Sequence, residues 1–344
     1  MYQFIVRVIS CFILNQQKRK AFRQKWFGRL KVERRFDALE NRLGALECRS
    51  EAQNTLNINL CMVLANGQSG NKIYGGGGGF YVGGKELLQQ FIVKNNGEKY
   101  FDFNGAKMPD VADDGLLRYV FDDTFLVSCF FHDDYAKNIA KMLDLVLAEG
   151  VYGYRDGDFD VTVKTGDVVI DAGAWVGDFS AYAVSKGATA YAFEPTTATY
   201  NLLQQTVALN DHKIYPVPLG LSDAEKEITL YRHNGNSGAN TIIRHSWTND
   251  PLTITETIKI TTLDKFVAEN KIAKIDFIKA DIEGAERDML RGATGVLQKF
   301  APKLAICTYH LPDDPQVLEK IITDANPRYR VVQMRHKLFA AAVG

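Results

Sequence analysis

Three things are missing from this 344-residue chain: a CxxC pair, a surplus of either charge, and an apolar run of membrane-spanning length. The five cysteines (Cys11, Cys48, Cys61, Cys129, Cys307) are scattered and odd in number. That excludes a disulfide framework or zinc knuckle read from spacing, and predicts a reducing, cytoplasmic setting. The 41 Lys plus Arg are balanced by 41 Asp plus Glu, so the cationic excess of a nucleic-acid binder is absent and no nucleic-acid partner is expected. The apolar opening, Tyr2 to Leu14, is interrupted by Arg7 and falls short of the roughly 20 residues a spanning helix needs. Its basic cluster follows the apolar stretch, the reverse of a secretory signal. With 46% hydrophobic residues, the chain can bury a core, and global disorder is excluded.

What is present divides the chain unevenly. Residues 1–35 carry ten basic side chains against Glu33, a local +9 that leaves −9 for the rest. Residues 1–31 form a basic, partly apolar segment that either lies on an anionic membrane surface, at the inner face of the membrane, or is a solvated helix. In 32–65, Val32, Phe36, Leu39, Leu43 and Leu46 recur at 4-3-4-3 spacing, the seam of a short coiled coil that would make a homo-oligomer through 32–64. Ser50, Gln53 and Asn57 weaken that seam, so it packs on a partner copy or on its own domain. Residues 66–150 read as a glycine-rich hinge and accessory region. Gly75 to Gly79 are consecutive and lack the strand and Lys-Ser or Lys-Thr helix start of a phosphate loop.

From residue 151 to the end, strand-like and helix-like segments alternate. Phe159, Val161 and Val163 alternate with polar residues in a half-buried strand. Apolar runs at Val168 to Ala172, Ala190 to Phe193, Ile214 to Leu219, Phe277 to Ala280, Leu304 to Thr308 and Tyr329 to Met334 are separated by predicted helices, including 285–300 and 314–325. Such a pattern predicts an α/β, doubly wound, mostly parallel sheet with helices on both faces and its ligand beyond the strands' carboxyl ends.

The sharpest motif is Val168-Val169-Ile170-Asp171-Ala172-Gly173-Ala174-Trp175-Val176-Gly177-Asp178, a buried strand ending in an acid, then two glycines opening a helix. Gly173 permits a tight turn, and Gly177 lets a helix N-terminus offer N–H groups to an anionic end. A carboxylate at Asp171 would repel a pyrophosphate but suit an ammonium. Glu194, ending the next strand 21 residues after Gly173, can accept two hydrogen bonds from a ribose diol. Ammonium, carboxylate and ribose together describe S-adenosylmethionine. The competing nicotinamide fingerprint needs glycine where Trp175 stands. The plainer alternative is that Asp171 caps a helix, the glycines serve packing and Glu194 is a surface acid.

The fourth strand runs into Lys279-Ala280-Asp281-Ile282-Glu283-Gly284-Ala285-Glu286, where alternation puts Lys279, Asp281 and Glu283 on one side. With the glycine loop and Phe193-Glu194-Pro195, this acidic junction resembles the FkbM family of S-adenosylmethionine-dependent methyltransferases over roughly 151–336. The resemblance implies a class I, Rossmann-like domain and transfer of a methyl group to a hydroxyl of a sugar, glycan or other natural product. Carried over, it implies that Asp171, Gly173, Ala174, Gly177 and Asp178 line the methionine part, Glu194 holds the ribose, and Ser222 with Asp223 border adenine. Asp281 and Glu283 match the acids near the acceptor.

Asp281, Glu283 and His310 are therefore the candidate catalytic residues. Asp281 is favoured as general base or holds the cofactor ammonium, and Glu283 is a base or a charge at a helix start. Glu286 reads as a partner of Arg287 or Lys279, and His336 as a second histidine that could reach the rim. Asp281, Glu283 and His310 could take a hard divalent ion, but the sequence gives no closed ligand set and no metal is assigned. The different-class alternatives are a noncatalytic assembly protein of the same fold and a nicotinamide-dependent oxidoreductase.

Overall fold

Apolar strands buried on both faces, alternating with helices that are apolar on one, form an open seven-stranded sheet in the computed structural model of the chain. The structure describes residues 88–89, 91–95, 97–111, 116–117, 120, 124–125, 152–210, 213–233, 237–244, 246–334 and 336–343. The basic segment, the candidate coiled coil, the glycine run and the helix expected from Tyr135 to Ala148 lie outside the described residues, as do His132, His212 and His245. Among the described residues, no helix is long and apolar enough to cross a membrane.

From Phe91 onward the chain forms one unit. Strands β1 (Ile92–Asn95), β2 (Glu98–Phe103) and β3 (Ala106–Pro109) make an antiparallel meander, and β4 (Tyr154–Asp156) with β5 (Phe159–Val161) a hairpin. The main domain follows as β6 (Val168–Ala172), α1 (Asp178–Ser185), β7 (Thr189–Phe193), α2 (Thr197–Leu209), β8 (Ile214–Val217), β9 (Gly220–Leu221), β10 (Lys226–Arg232) and β11 (Ile254–Thr261). It continues with α3 (Leu263–Glu269), β12 (Phe277–Ala280), α4 (Glu286–Arg291), α5 (Thr294–Lys299), β13 (Lys303–Cys307), α6 (Asp314–Ala325), β14 (Tyr329–Gln333) and β15 (Lys337–Ala342).

The large sheet runs β14-β15-β13-β12-β6-β7-β8. Only β15 is antiparallel to its neighbours. This is the mostly parallel sheet with helices that the sequence pattern predicts. Strand alternation sorts the core: Ile170, Ile278, Leu304 and Ile306 meet Leu290, Leu297, Leu318 and Ile322 of α4 to α6, while Val169, Phe277 and Ala305 meet Phe179 and Ala183 of α1. The accessory meander joins this unit, with Asn210 at the end of α2 donating from its amide to Lys107 O at 2.7 Å and accepting from Lys107 N at 3.0 Å.

Three details depart from the sequence pattern. The helix expected over 285–300 is two helices, broken at Gly292, where a Cβ would stand 2.0 Å from Ser222 O. Asp264 restarts it by accepting from Gly295 N and Val296 N, both at 2.8 Å. β15, whose short apolar run escapes a helix-strand alternation, inserts antiparallel between β13 and β14. The stretch 220–276 includes a small sheet, β10-β11-β9.

Candidate active site

The direction of strand progression reverses between β6 and β12, and a crevice opens where their connections part. A solvent-open cleft of about 640 Å³ lies there. Its walls are Gly173, Trp175 and Glu194 from the first half, Asp281 and Glu283 from the second, and Leu230, Ile242, Ile258 and Ile260 from the inserted segment.

The glycine loop is held from below by Phe193 O, which accepts from Gly173 N at 3.1 Å and Ala174 N at 2.8 Å. Gly173 has φ +74°, and a Cβ on it would meet Asp281 O at 2.0 Å, so only glycine fits. Gly177, at φ +85°, starts α1 against Leu203. Trp175 is a non-glycine residue at φ +48°, a conformation that costs of order 1–3 kcal/mol. Its indole Nε1 donates to Ser237 Oγ at 2.9 Å, joining the loop to the inserted segment.

Asp171 is placed differently from the ligand-facing position expected of it. It is fully buried, ion-paired to Lys279 Nζ at 3.1 Å, and accepts from Ser180 Oγ at 2.6 Å. The register explains the pairing, because Lys279 and Asp171 stand opposite each other on neighbouring strands. Lys279 also donates to Gly173 O at 2.6 Å, so the ammonium that Asp171 receives is the protein's own, and the pair braces the loop. Burial opposes the charge on Lys279, yet Asp171, Asp281 and Asp178 raise its pKa. Asp178 is buried beside the pair, accepts from Thr124 Oγ1, and is pushed by burial up to about 6. Ala174, Gly177 and Asp178 do not line the cleft.

Glu194 does line it. The side chain is buried, and each carboxylate oxygen accepts one backbone bond, from Trp175 N at 3.1 Å and Thr196 N at 2.8 Å. Burial pushes its pKa up to about 7, and lone pairs remain for further donors. Ser222 and Asp223, expected beside adenine, lie outside the cleft; Ser222 is buried under Gly292, and Leu221 takes the wall position instead.

On the opposite wall, Asp281 accepts from Tyr152 Oη at 2.8 Å through Oδ2 and from Tyr309 Oη at 3.1 Å through Oδ1. Burial would raise its pKa, but His310, Lys279 and the tyrosine bond hold it below the ordinary value. Glu283 sits in a tight turn with φ +53°, followed by Gly284 at +101°, and burial raises its pKa. His310 Nε2 lies 3.6 Å from Asp281 Oδ1 and 3.5 Å from Glu283 Oε2, with Nδ1 3.0 Å from Glu286 Oε1. Burial disfavours its charge, yet Glu286, Glu283 and Asp281 push its pKa up to about 11. These acids favour the charged form of the imidazole, whose ring also packs on Tyr309 at 4.1 Å between centroids.

Glu286 is not the partner of Arg287 or Lys279. It accepts from Ile282 N at 2.9 Å and faces His310, while Arg287 pairs with Asp314 at 2.7 Å and Asp313 at 2.5 Å. His336 packs edge-on to Tyr309 at 5.9 Å between centroids. Tyr152, Tyr309 and the apolar wall of β10 and β11 are site residues that the motifs did not single out. Tyr309 adjoins His310 in sequence and was the one within reach of a local signal.

Residues 171–331 match the family model described as the methyltransferase FkbM domain. Hexuronic acid methyltransferase AglP of Haloferax volcanii is 27% identical over 159 residues, 46% of this chain and 62% of that protein. Methyltransferase 1 of Beauveria bassiana is 28% identical over 161 residues, 40% of this chain and 64% of that protein. The chain thus spans a little under two thirds of these curated relatives. Among solved structures, methyltransferase FkbM of Methylobacillus flagellatus is similar at 19% identity and TM-score 0.40, over 67% of this chain and 56% of that one. Fibrillarin of Aeropyrum pernix, in complex with natively bound S-adenosylmethionine, is similar at 12% identity and TM-score 0.36, over 80% and 85%.

Proposed function

We propose that this chain, whose residues 171–331 match the methyltransferase FkbM domain, is an S-adenosylmethionine-dependent O-methyltransferase acting on a hydroxyl of a sugar, glycan or other natural product. The observation that carries this reading is the pairing of two walls of one cleft: a buried ribose-type acceptor, Glu194, faces an acidic group, Asp281 and Glu283, across the glycine loop. The likeness to a hexuronic acid methyltransferase supports a sugar acceptor.

The residues fit this cofactor. Glu194 keeps unused lone pairs after its two backbone bonds, which suits a diol. Gly173 leaves the backbone bare beside the cleft, and Leu221, Ile258 and Ile260 offer apolar surface to a base. When bound, S-adenosylmethionine supplies a methyl group already activated on a sulfonium, so the chain must chiefly align the acceptor and exclude water.

Trp175 and the β10–β11 residues Leu230, Ile258 and Ile260 give the cleft an apolar side. Glu283, whose proton affinity is raised by burial, is the better proton acceptor for the acceptor hydroxyl. Asp281 is made less basic by His310, Lys279 and the Tyr152 hydroxyl and serves to orient. Calorimetric titration of the full chain with S-adenosylmethionine tests the reading: binding that Glu194→Ala weakens supports it, and a folded protein that binds none, or takes a nicotinamide dinucleotide instead, overturns it.

A further inference from the structure

We propose that Asp281, Glu283 and Nε2 of His310 form a binding site for one divalent cation of the magnesium–manganese class, with the acceptor hydroxyl completing its coordination. The three side chains present one ligand atom each, all within 4.8 Å of one another. Octahedral ligands at about 2.1 Å from such an ion stand about 3 Å apart, close to the 3.5 and 3.6 Å that separate Nε2 from the two carboxylates.

The histidine supplies the independent observation. Its side chain is 7% exposed, neither ring nitrogen makes a hydrogen bond, and Nε2 lies 3.6 Å from Asp281 Oδ1 and 3.5 Å from Glu283 Oε2. A buried imidazole nitrogen set beside two carboxylate oxygens without a hydrogen bond to either is what a cation would bridge, the imidazole proton leaving as the ion binds. The other ring nitrogen, Nδ1, lies 3.0 Å from Glu286 Oε1. A carboxylate behind a ligating histidine fixes its tautomer and orientation, and Glu286 is itself fixed by Ile282 N.

A rival trio, Glu286, His310 and Asp314, is already spent: Asp314 is engaged by Arg287 and by Leu311 N at 2.8 Å. Two carboxylates with one imidazole select a hard or borderline ion over one that prefers thiolates. The chosen trio opens on the cleft through Asp281 and Glu283, so coordination positions remain for acceptor oxygen, whose hydroxyl such an ion would acidify. One Glu283 oxygen then holds the ion and the other remains to take the proton. That role rests on the methyl-transfer reading; the binding of the ion does not.

The test is Mn²⁺ binding to the metal-stripped full chain, followed by electron paramagnetic resonance, with Mg²⁺ as competitor. About one Mn²⁺ per chain is expected, with echo-modulation from a single imidazole nitrogen. His310→Gln should abolish that modulation and, like Glu283→Gln, weaken binding at least tenfold, while Glu286→Gln should weaken it about 10-fold to 100-fold through the histidine. Wild-type protein that binds no Mn²⁺, or binds it without nitrogen modulation, overturns the proposal even if every variant fails to fold. S-adenosylmethionine titration of the same stripped protein separates the two readings, since Glu194 and the glycine loop lie outside the trio.

Discussion

The two walls of the cleft handle charge in opposite ways. Behind the glycine loop, Asp171, Lys279 and Ser180 form a buried set in which every charge meets its complement, and only Glu194 turns toward the cleft. On the acceptor wall, three carboxylates, Asp281, Glu283 and Glu286, surround one imidazole, a surplus of negative charge left open to solvent on one side. The first wall uses charge to hold a backbone shape, the second to act on what enters.

If that contrast is right, the largest single effect should come from the acceptor wall without touching the cofactor. Glu283→Gln is expected to lower turnover by about 10²–10⁴-fold, while the dissociation constant for S-adenosylmethionine stays within about threefold; loss of cofactor binding in this variant would erase the distinction between the walls. Next, Lys279→Met should destabilise the fold by about 3–5 kcal/mol, because it strands a fully buried carboxylate. Adding Asp171→Asn should restore part of that loss in urea unfolding. Independence of the two substitutions would show that they are not one brace.

Smaller effects sharpen the first wall. Glu194→Ala should weaken cofactor binding by about 10- to 100-fold, the worth of one or two hydrogen bonds to a charged group, and lower the melting temperature as well, because Trp175 N and Thr196 N lose their acceptor. The ionised form is the one that accepts a diol, and burial has raised the Glu194 pKa to about 7. Affinity should therefore be full above neutral pH and fall as pH drops through 7, by at most about tenfold per pH unit. An affinity flat from pH 8 to 6 would remove Glu194 from the ribose.

The first wall was the more legible in sequence, for a physical reason. Gly173, Gly177 and Glu194 belong to short motifs whose spacing alone implies a turn, a helix start and a strand end. Asp171 was legible as the acid closing its strand and was expected to face the ligand; its true partner, Lys279, lies 108 positions away and only the register brings them together. The acceptor wall was legible in type, through Asp281, Glu283 and His310. Its electrostatics were not, since Tyr152 arrives from the far side of β6 and Glu286 from the first turn of α4. The apolar wall of β10 and β11 had no motif at all: Leu230, Ile258 and Ile260 read as ordinary strand residues until the inserted sheet packs them together.

The contact between Gly173 and the carbonyl of Asp281 sets a rule for redesign. Main chain rests on main chain there with no room for one added carbon, so the two connections cannot be exchanged independently between relatives. Changing acceptor preference by transplanting the segment after β12 would require the segment after β6 to travel with it, as a matched pair.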